Sequence, residues 1–169
     1  HALAIVLKVL NDKIGVKRAT MTTVHAYTRD QQLSESAQDN LRWSRSAAEN
    51  IIPNKSWAPN AVQELIPDLR GKISGMALNV PVPAGSNMDL VIELDKPLTA
   101  DEFNAVLFEA EAGEYKGLLA CTDELIVSSD AIGVSASALI DTRATLSLDN
   151  GLVKCIAWYD NGWGYAYRL

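Results

Sequence analysis

Val16-Lys17-Arg18-Ala19-Thr20-Met21-Thr22-Thr23-Val24-His25 is the run on which the fold class turns. Its valines and threonines carry branched Cβ atoms that suit a pleated, half-buried surface, so it reads as a strand. Upstream, Ala2 to Asp12 places Leu3, Val6, Leu7 and Leu10 at helical spacing, and Gly15 ends that helix. Downstream, Tyr27 to Asn50 is polar and without periodicity. A loop of that length in a compact domain is uncommon unless it binds something. Ile51-Ile52-Pro53 closes it.

Further along, Asn60 to Leu65 reads as a short helix stopped by Pro67, and Lys72 to Val80 as a strand stopped by Pro81 and Pro83. Met88, Leu90, Ile92 and Leu94 alternate with Asp89, Val91, Glu93 and Asp95, the pattern of a strand buried on one face. Thr99-Ala100-Asp101-Glu102 is a capping box, and Phe103, Val106, Leu107 and Ala110 form one face of the helix it opens. Leu125–Ser129, Ser135–Ile140, Thr145–Leu148 and Leu152–Trp158 are further strand candidates, with Asp149-Asn150-Gly151 as a hairpin turn. Consecutive strands predict an α+β fold. The expected architecture is a largely antiparallel mixed sheet of about six to eight strands with about three helices on one face.

The chain has 169 residues, 48% of them hydrophobic and 21% charged, which suits one soluble globular domain with a real core. A net charge of −6 argues against nonspecific nucleic-acid binding, which needs a cationic surface. No apolar run is long enough to cross a bilayer, and no signal peptide opens the chain. Two cysteines, Cys121 and Cys155, make no disulfide framework, so a reducing cytoplasm is the simpler setting. No His, Cys or Asp spacing suggests a metal site. Besides His1, His25 is the only histidine. An imidazole titrates near neutrality and can act as base or acid there, or it can be satisfied structurally by a backbone carbonyl.

Several segments, in order, resemble the catalytic domain of the glyceraldehyde-3-phosphate dehydrogenase family, which includes erythrose-4-phosphate dehydrogenase. They are Ala2-Leu3-Ala4 through Lys8-Val9-Leu10-Asn11-Asp12, Met21-Thr22-Thr23-Val24-His25-Ala26 and Asn50-Ile51-Ile52-Pro53. Gly71-Lys72-Ile73-Ser74-Gly75-Met76-Ala77, Val80-Pro81-Val82-Pro83 and Trp158-Tyr159-Asp160-Asn161-Gly162-Trp163-Gly164-Tyr165 follow. The resemblance implies that residues 1–169 are a single catalytic domain. It implies an NAD- or NADP-binding domain before His1, the nucleophilic cysteine in a loop a few residues before His1, and a C-terminal helix continuing beyond Leu169. It also implies a homotetramer of carbohydrate metabolism, with Tyr27 to Asn50 lying across a neighbour's cofactor site.

By the same resemblance the reaction is attack of a cysteine thiolate on an aldehyde, hydride loss to NAD or NADP, and cleavage of the thioester by inorganic phosphate. His25 matches the histidine that lowers the thiol pKa and handles the proton. Thr28 matches the threonine that holds the substrate phosphate, Arg42 the arginine of the inorganic-phosphate site, and Ser56 a phosphate-site hydroxyl. Asn161 matches the asparagine that orients the nicotinamide, and Tyr165 an aromatic beside it. For each, a plainer role stands alongside: a loop-capping hydroxyl for Thr28, a surface or intersubunit ion pair for Arg42 and Arg45, and an ordinary turn for Asp160-Asn161-Gly162. Trp163 and Asp30-Gln31-Gln32 lean toward the erythrose-4-phosphate branch.

Two positions depart from the family pattern. Asn79 stands where the family has a phosphate-clamping arginine, and Trp57 stands where it has glycine. These departures leave open an aldehyde that relies less on phosphate, or a non-catalytic paralogue kept as a subunit or scaffold. Cys155, in a buried-strand context, and Cys121 read as packing residues. The fragment alone is expected to be inactive.

Overall fold

The computed structural model describes residues 1–148 and 150–169. The strands are β1 (Val16–Ala26), β2 (Ile52–Lys55), β3 (Ile73–Val80), β4 (Ser86–Leu94), β5 (Leu119–Thr122), β6 (Ala138–Leu148) and β7 (Leu152–Tyr159). They form one seven-stranded sheet in the order β2-β3-β1-β4-β7-β6-β5. The β1–β3 and β5–β6 pairs are parallel and the other neighbours antiparallel. The helices are α1 (Ala2–Lys13), α2 (Ala58–Leu65), α3 (Ala100–Ala112) and the single turn α4 (Trp163–Ala166). The expected α+β class and mixed sheet are what the chain forms.

Alternation explains the layers. In β4 every second residue, from Ser86 to Leu94, is buried, and Asn87, Asp89, Val91 and Glu93 between them are half-buried. Met88, Leu90, Ile92 and Leu94 join one core with Leu3, Leu7 and Leu10 of α1, Val62 of α2, and Phe103 and Leu107 of α3. The three longer helices therefore cover one face of the sheet. Burying each such side chain contributes about 1.5–3 kcal/mol. Gly15, at φ 93°, ends α1, its N–H bonding Leu10 O at 3.0 Å. Only glycine tolerates the close approach of Asp95 there. The capping box of α3 is formed in both directions, Thr99 N to Glu102 Oε2 at 2.8 Å and Glu102 N to Thr99 Oγ1 at 3.2 Å.

Three readings are corrected. Leu125–Ser129 is not a strand: Leu125 is 88% and Val127 59% exposed, and Asp130 Oδ2 accepts the Val127 N–H at 2.8 Å to open a 3₁₀ turn over Ser128–Ala131. Ser135–Ile140 and Thr145–Leu148 are not separate strands. Both belong to β6, which starts at Ala138 and slips register between Asp141 and Leu146. Asp141 Oδ1 accepts the Ala144 N–H at 3.2 Å inside that irregularity. The short strands β2 and β5 were not expected. The turn at Asp149-Asn150-Gly151 lies partly outside the described residues; Gly151 itself has φ 86°.

Candidate functional site

The C-terminal ends of β1, β3 and β7 meet the starts of β2 and β4 at one end of the sheet. Register fixes who faces whom: His25 pairs with Asn79, Asn79 with Ile52, and Ser86 with Tyr159. Ser86 Oγ accepts the Ala26 N–H at 3.2 Å, tying β4 to the end of β1.

His25 sits half-buried at this end. Its Nδ1 lies 2.6 Å from Ala26 O. A carbonyl only accepts, so Nδ1 carries the proton of this contact and Nε2 is the ring nitrogen not engaged in it. The Tyr159 ring stands edge-on to the imidazole with centroids 6.1 Å apart. Burial pushes the Tyr159 phenol up to about 12, against the pull of hydrogen bonds with Thr23 and Ser86. It therefore stays a neutral hydroxyl at working pH.

Two cavities share the wall formed by Thr23, His25, Ala58 and Tyr159. The larger, about 410 Å³, adds Ser137, Asn161 and Tyr165. Among the described residues the Asn161 carboxamide has no hydrogen-bond partner, so it is free to meet a ligand. Asp160 shapes this turn: its Oδ1 accepts the N–H groups of Gly162 (2.9 Å) and Trp163 (2.8 Å), and its Oδ2 that of Gly133 (2.9 Å). Burial alone raises its pKa, but the three backbone donors outweigh it and hold the carboxyl below the usual range. Arg168 fastens the same segment from behind, through Ser137 Oγ at 3.0 Å, Ser135 O at 2.7 Å and Gly117 O.

The smaller cavity, about 330 Å³, adds Thr28, Asn54, Ser56, Trp57 and Asn79. Asn79 is buried and engaged at both ends: Nδ2 donates to Ala26 O and Oδ1 accepts from Asn54 Nδ2, each at 3.2 Å. Thr28 is held by Gln31, whose Oε1 accepts the Thr28 N–H at 2.8 Å and the Thr28 hydroxyl at 3.0 Å. Ser56 Oγ accepts the Ala58 N–H at 3.3 Å at the head of α2. Trp57 is 77% exposed at the rim.

Arg42 is exposed and lines neither cavity; its backbone N–H bonds Asn40 Oδ1 at 3.0 Å. Arg45 pairs with Glu35 at 3.0 Å, the plainer of its two readings. Burial pushes both cysteines up to about 12, with Glu111 adding at Cys121 and Asp89 at Cys155. Neither lines either cavity. Among the described residues no group of three or more His, Cys, Asp and Glu is placed to hold a metal, and no helix is long and apolar enough to cross a membrane.

The geometry has counterparts among known proteins. Residues 1–161 match the family model described as glyceraldehyde 3-phosphate dehydrogenase, C-terminal domain. The chain belongs to the glyceraldehyde-3-phosphate dehydrogenase family. It is 47% identical over 169 residues to glyceraldehyde-3-phosphate dehydrogenase 1 of Bacillus subtilis, covering all of this chain and 50% of that protein. It is 44% identical to glyceraldehyde-3-phosphate dehydrogenase 2 of Nostoc sp. and 45% to glyceraldehyde-3-phosphate dehydrogenase of Geobacillus stearothermophilus, with the same coverage of both chains. The chain thus spans about half the length of the curated relatives it matches.

For a domain of this family the sequence pointed to His25, Thr28, Arg42, Ser56, Asn79, Asn161 and Tyr165, and all but Arg42 line the paired cavities. It did not single out Tyr159 or Arg168, and it read Gln31 only within Asp30-Gln31-Gln32, not as the partner of Thr28. Tyr159 had a signal, since alternation along β7 ends on it beside His25. Gln31 and Arg168 act through loops, where no periodicity reveals a partner.

Proposed function

We propose that this chain is the catalytic domain of an NAD- or NADP-dependent, phosphorylating aldehyde dehydrogenase. The parent protein would act on a sugar phosphate such as glyceraldehyde-3-phosphate, through a cysteine thioester. The supporting observation is His25 in the wall between two cavities, with Asn161 and Tyr165 on one side and Thr28 and Ser56 on the other. The cofactor fits the larger cavity. A free carboxamide complements the nicotinamide amide, and an aromatic side chain flanks the ring position. When bound, NAD or NADP accepts a hydride.

This chain's own residues do the rest. Nε2 of His25 takes the proton of the attacking thiol and returns it later. Tyr159 keeps the imidazole edge fixed. Cys121 and Cys155 line neither cavity, and burial pushes both thiols up to about 12, so this reading assigns the attacking thiol to another part of the parent protein. The reading carries with it a homotetramer in the cytoplasm, with a small aldehyde and inorganic phosphate as partners, and no activity in the isolated 169-residue chain.

The test is reduction of NAD or NADP by the parent protein with glyceraldehyde-3-phosphate and phosphate. Activity that His25→Asn abolishes supports the proposal. A parent that oxidises no aldehyde points to the second reading, a non-catalytic subunit, which the engagement of Asn79 in purely internal bonds favours.

A further inference from the structure

Three hydrogen bonds join Gln31 to Thr28. Gln31 Oε1 accepts the Thr28 N–H at 2.8 Å and the Thr28 hydroxyl at 3.0 Å, and Thr28 O accepts the Gln31 N–H at 2.9 Å. The last of these closes a four-residue turn over Thr28-Arg29-Asp30-Gln31. An amide oxygen has two lone pairs, and Thr28 occupies both. The other end of the carboxamide is idle: Gln31 is 3% exposed, and its Nε2 has no hydrogen-bond partner among the described residues. The Thr28 N–H fixes which end is which, because it needs an oxygen. A buried donor left unpaired calls for an explanation.

The segment around Gln31 is anchored on both sides. Tyr27 N–H bonds Val82 O at 3.2 Å before the turn. After it, Ala47 N–H bonds Gln32 O at 2.8 Å and Ser46 Oγ donates to Leu33 O at 2.8 Å, with Ser46 and Ala47 both buried. The Gln31 side chain therefore reaches back from a fixed base to Thr28. Thr28 lines the smaller cavity with His25, Ser56 and Lys55, and Gln31 does not. Gln31 meets this cavity only through Thr28.

We infer that Gln31 is a positioning residue for the substrate, fixing the Thr28 hydroxyl at the cavity wall. The inference rests on the dehydrogenase reading and adds a residue to that site. In the empty cavity the Thr28 hydroxyl proton lies on Gln31. A hydroxyl turns about its C–O bond, so an arriving phosphate oxygen accepts that proton's hydrogen bond while Oγ stays in place. The Thr28 N–H remains on Gln31 throughout. Thr28 thus stays part of the scaffold, and its hydroxyl proton alone changes partner. A glutamate at this position would accept both bonds with no idle donor, but it would set a buried negative charge against the phosphate. The carboxamide supplies the acceptor without the charge, which explains the unpaired Nε2.

A double-mutant cycle on the parent protein tests this, with NAD or NADP, inorganic phosphate and glyceraldehyde-3-phosphate. Thr28→Val should raise KM for the phosphorylated aldehyde by about tenfold and Gln31→Ala by about threefold to tenfold, with kcat changed by less than about twofold. In the Thr28→Val background, Gln31→Ala should add less than about twofold, because no hydroxyl is left to position. On unphosphorylated glyceraldehyde neither change should move KM by more than about twofold. Gln31→Glu should raise KM for the phosphorylated aldehyde by about threefold or more and leave that for glyceraldehyde unchanged. Additive losses in the cycle, or equal losses on the two aldehydes, mean a general structural role and overturn the inference.

An arm independent of turnover uses the 169-residue chain, in which three-bond NMR couplings report the Thr28 side-chain rotamer. One staggered rotamer is expected with Gln31, averaged couplings in Gln31→Ala, and one rotamer again in Gln31→Glu, which restores an oxygen acceptor. A Thr28 side chain that keeps one rotamer in Gln31→Ala, or loses it in Gln31→Glu, overturns the inference. A parent that oxidises neither aldehyde removes the dehydrogenase reading, while the couplings still decide whether Gln31 positions Thr28.

Discussion

The two cavities beside His25 share four wall residues and differ in what their polar groups are free to do. In the larger one, Asn161 presents a carboxamide with no hydrogen-bond partner among the described residues, on a turn braced by Asp160 and Arg168. In the smaller one, Thr28 and Asn79 are tied into the fold by Gln31, Ala26 and Asn54. Residue type alone does not separate them, since both contain an asparagine and hydroxyls. What differs is where the hydrogen bonds already go. A group whose donors are satisfied inside the protein supports the scaffold, and a group held in place by its neighbours but unbonded at its tip is available for a ligand.

Breaking the shared wall should have the largest effect. His25→Asn in the parent protein removes the base common to both cavities and is expected to lower kcat by about 10²- to 10⁴-fold, read by single-turnover kinetics. A loss smaller than tenfold would move the base elsewhere. The next effect is on stability and belongs to the smaller cavity. Asn79→Ala strands Ala26 O and Asn54 Nδ2, and should cost about 1–3 kcal/mol in urea unfolding of the 169-residue chain. Asn161→Ala sharpens the contrast, because it strands nothing. Unfolding should be unchanged, while KM for the dinucleotide rises by about threefold to tenfold. If Asn161→Ala destabilised the chain as Asn79→Ala does, the division between scaffold and ligand-facing amides would be wrong.

The legible parts of the fold were those where a physical pattern repeats. The alternation of Met88 to Leu94 announced β4 because that strand has one dry face and one wetter face. The capping box announced α3 because its chemistry is local. β2 was hidden by Pro53, which a central strand would reject but which an edge strand tolerates. β5 has only four residues, too few to show a period. Leu125 and Val127 misled because apolar residues on a surface look the same in sequence as apolar residues in a sheet. At the site, His25 and Asn161 were legible through the segments around them. The commitments of Thr28 and Asn79 were not, because they depend on Gln31, Ala26 and Asn54 reaching them through a loop and across strands.

The smallest expected effect concerns the brace behind Asn161. Asp160 accepts three backbone N–H groups, and these hold its carboxyl below the ordinary range although burial pushes the other way. A carboxylate depressed on folding adds stability above its unfolded pKa, near 4, and that contribution is lost as pH falls through the lower folded value. Amide hydrogen exchange at Gly133, Gly162 and Trp163 should therefore stay slow from neutrality down to about pH 4 and quicken below it relative to β4, whose amides report the core. Asp160→Asn keeps an acceptor for Gly162 and Trp163 but has no charge to lose, so the local acid step should vanish. Nothing comparable should occur at the Thr28–Gln31 contact, which contains no titrating group. If the Thr28 amide opened in the same acid window as Gly133, the two sides of His25 would be one cooperative unit rather than two.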